Sequence, residues 1–341
     1  MANRWVRRPE GSNWGDFGSD DERGTLNILT PERRLGGFAE VRAGIAFNLS
    51  LPLNYPGGNV LFPSRTEPQI SAVTRISGEE SYNFAFSRMN AAFNDVVSDD
   101  AVLLFNQYST QWDALGHWGQ EFDADDDGVA EIVYYNGYRA GEHILSSSDP
   151  RGPVADRLSI DAVATAGVQG RAVLVDLAAI YGTDRIKIGH AELMSAIGRQ
   201  HIEVRPGDFL CLHTGLGDVI LDMDRKPNAE ILANSCAVLD GTDQALLQWI
   251  SESGIVAICA DNLGVEGLSY SPEGGSSCRH SMMPLHEHCI FKIGMPLGEL
   301  WYFGELARWL RETGRNAFLL TAPPLRLPGC VGSPVTPIGT V

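Results

Sequence analysis

The chain is short of positive charge, of paired cysteines and of long apolar runs, and each shortage closes off a class of function. Against 43 acidic residues stand 26 basic ones, leaving a formal charge of −17. Such a chain has no electrostatic grip on phosphate backbones or anionic lipid, so neither nucleic acid nor a membrane is expected as a partner. Six cysteines, Cys211, Cys236, Cys259, Cys278, Cys289 and Cys330, are scattered and form no C-x-x-C pair. Several sit inside apolar runs such as FLCLH and VAICAD. That usage excludes a disulfide framework and reads as buried free thiols in a reducing compartment, so a cytoplasmic location is expected. No segment approaches the ~18 apolar residues of a membrane span, and the neighbouring arginines near the N-terminus have no apolar stretch behind them.

Several catalytic signatures are missing as well. There is no G-x-S-x-G elbow, no Walker loop and no Gly-rich dinucleotide loop, which removes the usual support for a serine hydrolase, a nucleotide hydrolase or a Rossmann dehydrogenase. Cys278 lies near His280 in GGSSCRH, a pairing that permits a thiol nucleophile but proves little. In EFDADDDGVAE, Asp123, Asp125, Asp127 and Gly128 imitate the start of a calcium loop. The twelfth position is Tyr134, where such a loop needs a bidentate Glu, so an exposed acidic turn is the better reading.

What is present is enough apolar residue, 44% of 341, to bury a substantial core. Polar, Gly-rich residues 1–40 read as a wrapping arm, with a helix start at Thr30-Pro31. IAFNLSLPLN (45–54) and DAVLLFNQY (100–108) have strand character. From about residue 150 the pattern is regular: GRAVLVDLA, GDFLCLHTG and GIVAICAD read as buried strands, HAELMSAIGRQ and TDQALLQWISES as helices, the second stopped by Gly254. ELWYFGELARWLRET reads as a last amphipathic helix ending at Gly314. Alternating strands and helices predict an α/β fold with part of its sheet parallel. No internal repeat or low-complexity linker divides the chain, so a single domain over 1–341 is expected.

One polar stretch, NQYSTQWDALGHWG (106–119), concentrates chemistry: Gln107, Gln111, Asp113 and His117 follow at steps of four, two and four. Asp113 is a hard anionic ligand, the Gln carbonyls are weak neutral ones, and His117 serves as base or as nitrogen ligand. The plainer alternative is a turn capped by Gln and Asp beside a packed histidine. If DAVLLFNQY is a strand running into a loop, these side chains enter a cleft. A second set, in MMPLHEHCIFKIGMPLGE, brings His286, His288 and Glu299 into one region, with an apolar run between His286 and Glu299 that reads as a strand. Asp261 and Glu266 follow another strand, where α/β proteins commonly place functional residues.

These residues resemble the cyclase family of hydrolases, which includes bacterial kynurenine formamidase and isatin hydrolase. The family motif H-x-G-T-H-x-D-x-x-x-H corresponds to QYSTQWDALGH, Gln107 to His117. The likeness continues through GRAVLVDLA, RPGDFLCLHTG, PLHEHCIFKIGMPLGE and PLRLPGCVGSPVTPIG. The opening WGDFGSDDERGTLNILTPE and TQWDALGH resemble a larger-bodied branch of the family. The resemblance implies a swivelling β/β/α-type domain with a mixed sheet, a homodimer or higher homo-oligomer, and opening of amide, lactam or lactone bonds of a small-molecule substrate by metal-activated water. Carried over, Gln107 and Gln111 fall on two His ligands, Asp113 on the carboxylate ligand and His117 on the proton-transfer His. His286 and Glu299 fall on a second His and a Glu, with His288 the rival for His286. Ser109 stands in place of the motif Gly, and two Gln in place of His would weaken a zinc site, since zinc favours His, Cys and carboxylate ligands. Three readings remain open: a manganese- or zinc-dependent hydrolase using Asp113, Gln107, Gln111 and His286; a metal-independent cyclase or lyase using His117 and Glu299; and a small-molecule-binding relative without turnover. Trp112 and Trp118 flank the motif and would wall a flat substrate.

Overall fold

Runs such as RAVLVD and FLCLH are apolar on both faces, the pattern of strands covered from both sides, and they form the middle of a nine-stranded mixed sheet. The computed structural model describes residues 4–267 and 280–341. In chain order the sheet strands are β1 (Ala46–Asn48), β2 (Gln111–Asp113), β3 (Gln169–Asp176), β4 (Phe209–His213), β5 (Ala257–Ala260), β6 (Leu297–Glu299), β7 (Ala317–Thr321), β8 (Gly332–Pro334) and β9 (Ile338–Thr340). Their spatial order is β1-β9-β7-β3-β4-β5-β6-β2-β8. The central run β3 to β6 is parallel, and the strands flanking it on both sides pair antiparallel. This is the mixed α/β architecture expected.

Helices α1 (Pro31–Phe38), α2 (His190–Arg199), α3 (Gln244–Ser253) and α4 (Gly304–Thr313) follow the sequence signals. Thr30 caps α1 with its hydroxyl on the Arg33 amide, Asp243 caps α3, and Gly254 and Gly314 end α3 and α4 in the left-handed conformation. Near the N-terminus the Trp14 indole is buried and donates to the Phe291 carbonyl at 2.9 Å. The Asn136 amide donates to the carbonyls of Gly18, Ser19 and Asp21.

Three expectations are corrected. DAVLLFNQY is a strand as expected over Asp100–Leu103, but it stops there and does not lead the motif into the main sheet: it is exposed and pairs with Gln69–Ala72 in a separate two-stranded sheet. The motif's own Gln111–Asp113 is the strand that joins the main sheet, because Trp112 supplies the apolar face that the sheet buries. The run between His286 and Glu299 is helical, not extended. Pro284 opens a turn over Pro284–His286, and Glu287–Lys292 continues it as a π-turn whose apolar residues are all buried. The last helix begins at Gly304, since Leu297–Glu299 is claimed by the sheet and Leu300, at φ 54°, turns the chain away from it. Cys211, Cys236, Cys259 and Cys289 are buried free thiols, and Cys330 is a half-buried one. Cys278 lies outside the described residues.

Candidate active site

Side chains alternate along a strand, so Trp112 and its neighbours on β2 face opposite ways. The Trp112 indole is fully buried, donates to the Ala322 carbonyl at 2.8 Å and meets Trp301 edge-on at 5.1 Å. It is a core residue on the far face, which corrects its expected place beside a substrate. Gln111 and Asp113 therefore project together on the near face.

Strand pairing gathers the rest. Antiparallel register sets Gln111 opposite Glu299 on β6, and Asp113 opposite Gly332 on β8. A Cβ at Gly332 would lie 2.3 Å from the Gln107 amide nitrogen, which packs against that backbone. Gln107 thus borders the same patch of sheet. The Gln111 amide donates to Glu299 Oε2 at 3.3 Å, and His286 Nε2 lies 3.2 Å from Glu299 Oε1. Glu266 fixes the histidine by accepting from the Leu285 and His286 amides at 2.9 and 2.8 Å and by pairing with His286 Nδ1 at 2.9 Å. His117 Nε2 is 3.8 Å from Asp113 Oδ1. The Trp118 ring leans on the His286 imidazole with centroids 5.2 Å apart. His288 turns away to the Ser251 hydroxyl at 2.9 Å, so His286 is the histidine facing the cluster.

Electrostatics follow from burial. Asp113 is pushed well above the usual carboxylate range, first by burial and then by the charge of Glu299. Burial opposes ionisation of Glu299 too, but the hydrogen bond and charge of His286 hold its carboxyl low. Burial likewise disfavours a charged His286, and hydrogen bonds to Glu266 and Glu299 overcome it, lifting the imidazole to about 10. His117 is driven down to about 4 by burial and by the charge of His286, so it is a neutral base near pH 7.

Both oxygens of Asp113 and Oε1 of Gln111 are buried without a hydrogen-bond partner among the described residues. Native proteins rarely leave such groups unsatisfied without a reason. Asp113, His286 and Glu299 each offer a ligand atom within 4.8 Å of the others. Three carboxylates, counting Glu266, converge on one imidazole. A cation fits that donor set, and its oxygen-rich character suits a manganese-type ion at least as well as zinc. A second acidic group, Asp123, Asp125 and Glu131, meets the same distance test but is partnered by Arg139, 2.7 Å from Glu131 and 3.4 Å from Asp125.

Two features escaped the sequence. Arg65, from a loop with no motif, donates to the Gln107 carbonyl at 2.7 Å and is felt by Asp113 and Glu299. At the carboxyl ends of β3 to β5, a separate buried network joins His213 Nδ1 to Asp176 at 2.8 Å, with Asp218 and Asp261 at 3.6 and 4.0 Å from its Nε2. Asp261 belongs there, accepting from the Thr214 hydroxyl and the Thr214 and Gly215 amides. It is not part of the Asp113 cluster.

The comparisons agree with this architecture. A crystal structure described as a novel cyclase superposes with TM-score 0.75 at 30% identity, over 97% of each chain. Isatin hydrolase A from Labrenzia aggregata, bound to benzyl benzoate, superposes at 0.54 with 13% identity over 89% of this chain and 95% of that one. Isatin hydrolase A from Ralstonia solanacearum gives 0.53 at 14%, over 91% and 97%. At these identities the two hydrolases share the fold alone. No curated protein sequence matches. The sequence profile of the Cyclase family matches residues 47–267, more than half of the 341-residue chain, and the chain belongs to that family.

Proposed function

We propose that the protein is a hydrolase that opens a C–N or C–O bond, in an amide, lactam or lactone, of a small cyclic or aryl substrate. The observation that carries this reading is the unpartnered, buried Asp113 carboxylate, set among Gln111, His286 and Glu299 with a neutral histidine 3.8 Å away. Asp113, Glu299, His286 and Gln111 Oε1 would hold a divalent ion, manganese or zinc, with Gln107 beside them. When bound, such an ion supplies Lewis acidity and a lowered pKa for water. Glu266 holds His286 in one orientation, as carboxylates behind metal-binding histidines do. His117 accepts the proton of the attacking water and returns it to the departing nitrogen or oxygen, so no net proton is consumed by the base. Trp118 offers a flat face beside His286 for an aromatic or planar ring.

Elemental analysis of the purified, untagged protein tests the metal. The expected result is about one manganese or zinc per chain, removed by chelator together with hydrolysis of an aryl amide and lactone panel, and both restored on reloading. A protein that takes up no stoichiometric metal, yet stays active, selects the second reading: the His286–Glu299 pair at 3.2 Å acting with His117 in metal-free acid-base chemistry.

For His117→Ala, kcat is expected to fall by ~10²–10⁴-fold with metal content unchanged. In the native enzyme, the acid limb of the pH–rate profile should lie below the ordinary histidine range, because burial disfavours the charged form of His117. A folded variant with native turnover removes the base role.

A further inference from the structure

We propose that Arg65 binds a carboxylate that the substrate carries away from the bond being broken. The inference rests on the hydrolase reading and adds a substrate class to it, namely anionic amides or lactones.

Four observations carry it. Arg65 is half-buried, yet no carboxylate lies within ion-pairing distance of it among the described residues. Among the described residues its side chain makes one hydrogen bond, to the Gln107 carbonyl at 2.7 Å, which uses one of the guanidinium's five donors. The guanidinium carbon sits 3.9 Å over the centre of the Phe62 ring, which fixes the plane of the fork. Gln107 in turn packs against Gly332, the strand partner of Asp113, so the cation is tethered at the border of the cluster. Burial lowers the Arg65 pKa while Asp113 and Glu299 raise it, and an arginine stays charged throughout.

The cluster itself is rich in carboxylates, and an anionic substrate would be repelled from it. A planar, pre-oriented guanidinium at its border offsets that repulsion and takes a carboxylate in a two-pronged hydrogen bond. Some arginines are committed to the chain's own acids, as Arg171 is to Glu40 and Asp208. Others, such as Arg34 and Arg185, donate to backbone carbonyls as Arg65 does, but of these three only Arg65 is held at the border of the cluster. Among the described residues Arg65 has no acidic partner, and a substrate carboxylate would supply one.

The test is binding without turnover. Chelator-treated protein is titrated, by tryptophan fluorescence, with the three isomers of carbamoylbenzoate and with the matching neutral benzenedicarboxamides. Native protein should bind at least one carbamoylbenzoate ~10–100-fold more tightly than its neutral counterpart, the worth of a charge-assisted pair. Arg65→Gln should bring that ratio close to one, and Arg65→Lys should keep part of it. Circular dichroism and thermal melts confirm that both variants fold. No binding, an equal affinity for charged and neutral probes, or a ratio unchanged in Arg65→Gln overturns the proposal. The hydrolase reading fails separately. If the metal-loaded protein turns over no amide or lactone while the Arg65-dependent preference persists, only the reaction is wrong; turnover without the preference leaves the reaction and removes the role of Arg65.

Discussion

Asp113→Asn should abolish stoichiometric metal binding and cut hydrolysis of any responsive substrate by ~10³-fold or more, the rate equivalent of several kcal/mol of lost Lewis-acid stabilisation. The same change should make the chelated protein more stable. Asp113 is 1% exposed and neither of its oxygens has a hydrogen-bond partner among the described residues. A buried, unpaired carboxylate costs more to bury than the neutral amide of the same shape, so thermal melts of chelated Asp113→Asn should exceed those of chelated native protein, by about 1–3 kcal/mol of stability. With metal added the order should reverse, since only the native chain gains from binding. Metal-independent activity in the variant, or equal stability of both chelated forms, counts against the metal-site reading.

His213→Ala should have the largest effect on folding. His213 is 7% exposed and bridges Asp176, itself 7% exposed, to Asp218 and the fully buried Asp261. Removing the only cationic ring among these acids leaves buried anions uncompensated, which costs about 3–5 kcal/mol when one partner of a buried pair is deleted. Arg311, 2.5 Å from Asp176 but half-exposed, offsets only part of the loss. Burial alone would lower the His213 pKa, but the hydrogen bond to Asp176 and the nearby carboxylates of Asp218 and Asp261 raise it to about 10. Its folded pKa thus exceeds the unfolded value of 6.5. The stability it contributes is full below pH 6.5 and is lost as pH rises toward and through about 10. Denaturant titrations of the native protein from neutral pH to pH 10.5 should show that decline, and His213→Ala should flatten it. Because this network is separate from the Asp113 cluster, the folded fraction of the variant should still take up metal. Loss of metal uptake from a folded variant would show that the two sites are coupled.

Much of the fold was legible because it rests on local physics. The strands β3, β4 and β5 are apolar on both faces in the sequence, and their burial follows. Helix ends at Thr30, Asp243, Gly254 and Gly314 obey capping rules that need no tertiary information. The misreadings have a common cause. Short elements such as β2 and β6, three residues each, have too few side chains for a periodicity to declare itself. DAVLLF has strand character, but nothing in it says which sheet it joins, and the apolar run after His286 is compatible with either a strand or a buried helical turn.

The site divides along the same line. Sequence alone placed Gln107, Gln111, Asp113 and His117 together, because they lie within eleven residues on one strand and its flanking turns. It also named His286, His288 and Glu299 as a second group, and Asp261 with Glu266 as residues following another strand. Only the tertiary structure decided that β2 pairs with β6, which carries Gln111 to Glu299 across 188 residues. It alone chose His286 over His288, since the π-turn sends the two imidazoles to different neighbours. Trp112 and Trp118 were equivalent in sequence, and strand alternation put one in the core and left the other beside His286. Arg65 could not be found beforehand, because its loop has no period or motif, and long-range packing brings it to Gln107. Residue chemistry and local periodicity are written along the chain, whereas the meeting of distant side chains depends on strand register and loop packing, which no single segment determines.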